Sequence, residues 1–427
     1  MTLLLLLLAC PGGEPDALVC AEGGTGTLRA GLDLPDEVWV TAPSLAIYAA
    51  DGTPMESMTA SGDLELPGGR YTIAARRGTV DGSPVGAAFG LLDDTVARVC
   101  VVDGETTTWS GTWELQPSSG KLWTLSREAA YAFDPTALAA GGDVEPELTI
   151  EVPRSNDLRG FAVDPMGNLW IATAPTYETR LLVYPPRGAD GSVEPAEFNL
   201  EAYGSWAQVA ALDFQAKDQL WVLLKGSNEG FAGLWGFGPT QALDWLATGE
   251  VPEAPGTTLT VEGVVAPEGI AEDASHRMWL ADMASDTVFA VGSGFQDAGE
   301  LSVSPEDQFL GGWDDETGTH TLNGPTALGF DDSGRLWVNY WTNPALARFD
   351  DPSSGGATRA PDLNVRGEVL ELPAGLVTDH AGRVWYGNEP QDGAGELVAL
   401  DGETGMELAR ARSADALSPT TLVFDPQ

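Results

Sequence analysis

Pro267-Glu268-Gly269-Ile270-Ala271-Glu272-Asp273, followed by Met278-Trp279-Leu280-Ala281-Asp282, is one unit of a pattern that governs this chain. An apolar residue followed by tryptophan recurs at Leu122-Trp123, Leu169-Trp170, Leu220-Trp221, Met278-Trp279, Leu336-Trp337 and Val384-Trp385. Successive tryptophans stand 47, 51, 58, 58 and 48 residues apart. A period of that length is the mark of one four-stranded propeller blade. The expected fold is therefore all-β, with a six-bladed propeller over residues 117–427.

Around each tryptophan the unit repeats in detail. Six residues before it stands Asp164, Gln215, Asp273, Asp331 or Asp379. Three before it stands Gly120, Gly167, Asp218, His276, Gly334 or Gly382. Aspartate and glycine at this spacing predict a tight turn, with the carboxylate accepting from backbone N–H groups and the glycine at positive φ. Ten before it lies Gly160, Ala211, Gly269, Ala327 or Gly375, small residues suited to a crowded innermost strand. Pro267, Pro325 and Pro373 open three of these strands; Leu158 and Val209 stand where two others would have proline. Third strands follow at 131–133, 181–184, 234–237, 288–291, 346–349 and 397–400, with outer strands expected at 147–152 and 369–372.

The Trp123 unit has no inner strand just upstream. Pro419-Thr420-Thr421-Leu422-Val423-Phe424-Asp425 mimics Pro373-Ala374-Gly375-Leu376-Val377-Thr378-Asp379 and supplies it. The C-terminal strand is thus expected to close the ring in the blade of Trp123 and hide its edge. The repeat tryptophans are expected between sheets. Trp206, Trp235, Trp313 and Trp341 lie off the repeat and are the candidates for an exposed surface.

Composition narrows the function. The formal net charge is −43, and Lys and Arg together number 21 against 64 Asp and Glu. Such a surface repels nucleic acid and anionic headgroups. Hydrophobic residues at 43% allow a large core, and 52 Gly with 29 Pro suit many short strands.

Six leucines after Met1-Thr2 lead into Leu7-Leu8-Ala9-Cys10, which resembles the lipobox of bacterial lipoproteins. That resemblance implies a signal peptide over residues 1–9 and lipidation of Cys10. The apolar run is too short to span a bilayer, so acyl chains would be the only membrane anchor. A plain secretory signal is the alternative. Residues 10–19, opening on Pro11-Gly12-Gly13-Glu14-Pro15, read as a tether. Cys20 and Cys100 remain, and in an exported chain they form one disulfide or two buried thiols.

Residues 20–115 lack the tryptophan unit. Strands are expected at 37–40, 45–48, 63–66, 70–74, 95–102 and 106–115. Leu66-Pro67-Gly68-Gly69-Arg70-Tyr71-Thr72-Ile73 resembles the strand-turn-strand of carboxypeptidase-regulatory and transthyretin-like β-sandwiches. The resemblance implies a small antiparallel sandwich that lifts the propeller off the membrane.

The Pro267–Asp282 unit resembles an NHL-type repeat, and the segments 133–142 and 184–191 resemble linkers of bacterial exported propellers. Gluconolactonase-like hydrolases and virginiamycin B lyase-like enzymes share that look. The axial mouth of such a ring is predicted at Arg159, Ala210, Glu268, Thr326, Ala374 and Thr420. A lactonase-like metal site needs several oxygen ligands, and this ring offers one carboxylate. Asn156-Asp157 and Asn323 fall outside the mouth positions. The lyase-like family pairs a histidine at an inner-strand start with a glutamate after a tryptophan strand; here the starts carry Glu268, Thr326 and Ala374, and Glu389 falls one residue late. His276, His320 and His380 read as turn or loop residues. Asp314-Asp315-Glu316 and Asp331-Asp332-Ser333-Gly334 read as solvated loops without EF-hand spacing. Glu268 and Arg159 could pair across the mouth.

The sequence therefore points to an exported, lipid-anchored, non-catalytic and monomeric binding scaffold of the bacterial envelope, for a protein, peptide or glycan and not for nucleic acid. No cofactor is expected. The alternative is a Ca2+- or Mg2+-dependent hydrolase or lyase using the axial mouth.

Overall fold

The computed structural model describes residues 20–21, 23–33, 39–41, 44–59, 61–76, 79–80, 89–91, 96–115, 121–126, 129–152, 158–164, 166–173, 179–184, 195–200, 207–215, 219–226, 232–238, 241–242, 245–246, 254–292, 295, 299–315, 318–342, 344–354, 357–366, 373–379, 381–388, 395–413 and 421–425. Among them no helix is long and apolar enough to cross a membrane.

Each tryptophan strand is the second strand of its own sheet. The unit quoted first shows the pattern. Pro267–Glu272 pairs antiparallel with Met278–Asp282, which pairs with Thr287–Val291, which pairs with Asp307–Asp315. The Trp170, Trp221, Trp337 and Trp385 sheets begin likewise with Leu158–Val163, Ala207–Gln215, Pro325–Phe330 and Pro373–Thr378. In the Trp123 sheet the first strand is Thr421–Asp425, in register with Lys121–Leu125 so that Trp123 faces Val423. The first strands lie side by side in a closed circuit: 158–163, 207–215, 267–272, 325–330, 373–378, 421–425 and back to 158–163. Sheets radiating from such a circuit make a β-propeller.

The turns explain the fixed spacing of Asp and Trp. Asp273 Oδ1 accepts from the backbone N–H of Ser275 at 2.8 Å and of Arg277 at 3.0 Å. Its Oδ2 accepts from Trp279 Nε1 at 2.9 Å and Arg277 Nε at 2.7 Å. Asp164, Asp331 and Asp379 take the indole N–H of Trp170, Trp337 and Trp385 in the same way. Where Gln215 replaces the aspartate, Trp221 Nε1 is buried with no partner among the described residues. Gly167, Gly334 and Gly382 adopt φ of 92°, 76° and 75° in these turns, and His276 adopts 62° at the same position.

The repeat tryptophans are buried and lie between sheets. Three of them meet an aromatic of the next sheet's inner strand edge-on: Trp123 with Phe161 at 6.1 Å, Trp170 with Phe214 at 5.4 Å, Trp279 with Phe330 at 6.0 Å. Such pairs add about 1 kcal/mol to the area they bury. Trp235, expected at the surface, is instead 6% exposed, because it faces the Trp170 sheet alongside Phe237 and Trp245. His320 is also not in a loop: it sits in Gly318–Leu322, opposite Trp313. His380, Trp206 and the 369–372 segment lie outside the described residues.

Segments between third and fourth strands reach back to the preceding sheet. Gly299–Val303 adds in parallel to Thr257–Val261, Thr358–Arg359 to Asp307–Asp315, and Gly142–Asp143 to Glu407–Ser413. The short helix Pro135–Ala140, capped by Asp134, packs Leu138 against Trp385 and Ala411. These strands cover outer edges that would otherwise offer unpaired backbone.

In the amino-terminal part, one sheet runs 62–67, 25–33, 106–115, 89–91 and another 54–59, 44–49, 69–76, 96–101. They share a core of Leu28, Leu45, Ile47, Leu66, Ile73 and Val101. The expected antiparallel order is broken once: Thr25–Asp33, a strand not foreseen, pairs parallel with Thr106–Leu115. Pro67-Gly68-Gly69 is not a hairpin either, since Gly62–Pro67 and Gly69–Arg76 belong to different sheets. Gly68 is required there, because a Cβ would meet Gly23 O at 2.4 Å. A disulfide joins Cys20 to Cys100, with Cα atoms 5.5 Å apart. The outer face of the second sheet, through Ala46, Tyr48, Ala74 and Val96, packs on Met166 and Leu246 of the propeller.

Candidate functional site

The six inner strands enclose an axial cavity of about 420 Å3. All six run the same way, so the cavity has a face where they begin and a face where they end in the aspartate turns. Met166 lies in one of those turns, which places the amino-terminal module on the ending face.

A bulge recurs near the start of the inner strands, between Leu158 and Phe161, Val209 and Ala211, Pro267 and Gly269, Pro325 and Ala327, and Ala374 and Leu376. A bulge re-aims the extra residue. The extra residues are Ala210, Glu268 and Thr326 in three sheets, three of the predicted mouth positions. Arg159 lies within the bulge of the Trp170 sheet, but its side chain lies outside the described residues, as do Thr420, Asn156, Asp157 and Glu389. Gly269 is tightly confined there, since a Cβ would meet Thr326 O at 2.8 Å.

Glu268 pairs with Lys225, at the end of the Trp221 strand; the Arg159 side chain, its expected partner, lies outside the described residues. Thr326 Oγ1 lies 3.5 Å from Asn339 O. Lys225 is the fourth residue after Trp221; the same position holds Met283 after Trp279 and Trp341 after Trp337. Met283 and Trp341 are each 38% exposed, and Val265, beside the Pro267 strand, is 60% exposed. Met283 N donates to Ala266 O and Trp341 N to Gly324 O, which fixes both beside the inner-strand starts. The starting face therefore carries an arc of Lys225, Met283 and Trp341 around the axial mouth. Of the four tryptophans expected at the surface, Trp341 is exposed and Trp235 is buried, while Trp206 and the Trp313 side chain lie outside the described residues; the position of Met283 beside Trp341 follows from the repeat.

At the ending face, burial pushes the Asp213 carboxyl up to about 7, with the Glu272 carboxylate adding to the shift. His276 Nδ1 lies 2.6 Å from Glu272 Oε1. Asp213 gave no signal in sequence, because its repeat position is otherwise Ala162, Ala271, Gly329 or Val377. Asp331, considered as a loop ligand, spends both oxygens on Ser333, Arg335 and Trp337. Among the described residues, no group of three or more His, Cys, Asp or Glu could hold a metal ion.

No family model matches the chain, and no curated protein matches it. Solved structures do. A protein of unknown function from Bacteroides caccae aligns at TM-score 0.51 with 11% identity, over 73% of this chain and 100% of that one. Virginiamycin B lyase from Staphylococcus aureus aligns at TM-score 0.35 with 13% identity, over 57% and 77%. A protein described as a gluconolactonase aligns at TM-score 0.37 with 13% identity, over 68% and 91%. Of these three likenesses the first alone passes a TM-score of 0.5, and at 11% identity it bears on the fold and on nothing else.

Proposed function

We propose that the six tryptophan sheets are the blades of a six-bladed propeller locked by Thr421–Asp425, carried on a small β-sandwich spanning residues 20–115. In this reading residues 1–9 are a signal peptide, Cys10 is lipidated, and residues 10–19 tether the molecule to the bacterial envelope. Its role is non-catalytic: it binds a protein, peptide or glycan across the starting face of the propeller.

The observation that carries this reading is the exposed arc of Val265, Met283 and Trp341 around the axial mouth. An aromatic and a methionine held at equivalent positions on neighbouring sheets supply the rigid and the adaptable apolar contact that binding faces use. The amino-terminal module packs on the opposite face, so the arc looks away from the tether.

The test is capture from the native envelope on immobilised wild-type protein and on the Met283→Ser, Trp341→Ala double variant. The expected outcome is a defined partner or glycan held by the wild type and lost, by tenfold or more, from the variant. Identical capture by both would place binding elsewhere. A Cys10→Ala chain should move from the membrane to the soluble fraction.

The rival reading, a Ca2+- or Mg2+-dependent hydrolase or lyase, draws on Asp213, a carboxyl able to exchange protons near neutral pH inside the cavity. It requires that either ion raise Tm and that lactone hydrolysis or lyase turnover disappear in Glu268→Ala.

A further inference from the structure

Two loops of the starting face are built as one unit. Met283-Ala284-Ser285-Asp286 joins the Trp279 strand to its third strand, and Trp341 opens the corresponding loop of the next sheet. Gly324, just ahead of the inner strand Pro325–Phe330, ties the two together. Its N–H donates to Asp286 Oδ1 at 2.7 Å, and its C=O accepts from Trp341 N at 2.8 Å. Gly324 adopts φ of 70°, and a Cβ there would meet Thr342 Oγ1 at 2.6 Å, so the join needs glycine. Asp282 holds the other side. Its Oδ2 accepts from the backbone N–H groups of Val265 and Ala266, and its Oδ1 from Ser285 N and Oγ. Val265, Met283 and Trp341 are thus exposed on a hydrogen-bonded base.

The two aspartates differ in what they have left to offer. Asp282 is fully buried and spends both oxygens on its own loops. Asp286 lies between Met283 and Trp341, half-buried, at φ of 57°. It spends one oxygen on Gly324 and pairs with no Lys or Arg among the described residues. Lys225, the cation on this arc, is taken up by Glu268. The arc therefore sets an exposed aromatic beside a carboxylate that lacks a counter-charge.

We propose that this arc docks an arginine-bearing polypeptide segment, with one guanidinium between the Trp341 ring and the Asp286 carboxylate and a neighbouring apolar residue against Met283 and Val265. The proposal rests on the starting-face reading above and names its occupant. Charge selects the sign. A chain of net charge −43 attracts a cationic segment over distance and repels an acidic one. A neutral glycan can stack on an exposed indole but gains nothing from that field. The apolar span crosses two sheets, which a small amine would leave uncovered. Arginine is preferred to lysine, because its planar group stacks on an indole while its fork meets a carboxylate.

The experiment is fluorescence anisotropy of labelled peptides on the full chain at physiological salt. The peptides share one leucine- and glycine-containing frame and carry arginine, lysine, glutamine or glutamate at the same positions; labelled maltohexaose is the glycan probe. The arginine peptide should bind tightest, with glutamine about tenfold weaker or more and lysine between them. The glutamate peptide and the glycan should not bind, and raised salt should weaken the arginine peptide. Asp286→Asn keeps the oxygen that Gly324 uses, and asparagine tolerates a positive φ, so the loop is preserved. This variant should weaken the arginine peptide about tenfold and leave the glutamine peptide unchanged. Trp341→Leu should cost about fivefold, part of it restored by Trp341→Phe. A control pair of exposed carboxylates, Glu145→Gln with Glu300→Gln, should change nothing. Glutamine-peptide or glycan binding as tight as that of arginine, and lost with Trp341→Leu, overturns the cationic occupant while leaving the docking face in place. Binding indifferent to Trp341→Leu and Asp286→Asn but weakened by the control pair is adsorption on an acidic coat and overturns the proposal. So does the absence of binding by every peptide.

Discussion

Asp213 couples the stability of the ring to pH. Its folded-state pKa, about 7, lies above the ordinary carboxylate value of 3.8. The folded chain therefore holds a proton that the unfolded chain has released, and stability falls as pH rises from about 4 to about 7. Asp213→Asn should remove this slope and raise stability at pH 8 by on the order of 2 kcal/mol, discounted because the side chain is partly exposed to the cavity. Urea midpoints at pH 5 and pH 8 for both chains check it; equal slopes would show that Asp213 does not titrate there. Asp273 works in the opposite sense. Burial alone would raise its carboxyl, but the Trp279 indole, Arg277 and the Ser275 N–H outweigh it and hold it below the usual range. Its contribution is present above the unfolded value and is lost as the solution becomes strongly acidic. Asp273→Ala orphans a buried indole and two backbone N–H groups and should cost about 2–4 kcal/mol, read as the fall in urea midpoint.

At the scale of the element, the unit of inner strand, aspartate turn and tryptophan strand was legible because three constraints share one spacing. The carboxylate caps the turn and holds the indole six residues later. The turn position requires φ near the left-handed region, where glycine is free and His276 is strained. The inner strand requires small residues where neighbouring strands touch. Gln215 breaks the first constraint, and Trp221 is left without an indole partner among the described residues. Gln215→Asp should therefore stabilise the chain by about 1 kcal/mol, seen as a raised Tm; a fall would mean that this turn differs from its four aspartate counterparts. What sequence could not show depends on contacts between elements. The strands that reach back to the preceding sheet, such as Gly299–Val303, carry no periodic signal of their own. Thr25–Asp33 was hidden for a similar reason: its partner Thr106–Leu115 lies far along the chain and runs parallel. Trp235 read as exposed because it departs from the repeat, yet a position off the repeat can still face a neighbouring sheet.

At the scale of the whole molecule, mouth positions were legible and their chemistry was not. Alignment on the tryptophans located Ala210, Glu268 and Thr326, and the recurring bulge explains why those positions turn toward the axis. The partner of Glu268 was beyond reach, because Lys225 lies on another sheet. The amino-terminal disulfide closes a separation of 80 residues, which in the chain-entropy model is worth about 4 kcal/mol. Cys20→Ser with Cys100→Ser should lower the stability of that module by an amount of that order, while leaving the propeller transition in place. Everything proposed about the cavity and its two faces depends on the ring being closed by the last strand. The direct measurement is the thermal melt of a chain lacking residues 419–427. The cooperative transition of the propeller should be lost or fall by tens of degrees, since Trp123 would lose Val423 and the circuit of inner strands would open. A truncated chain that melts at the temperature of the intact one would contradict the closed ring and the cavity with it.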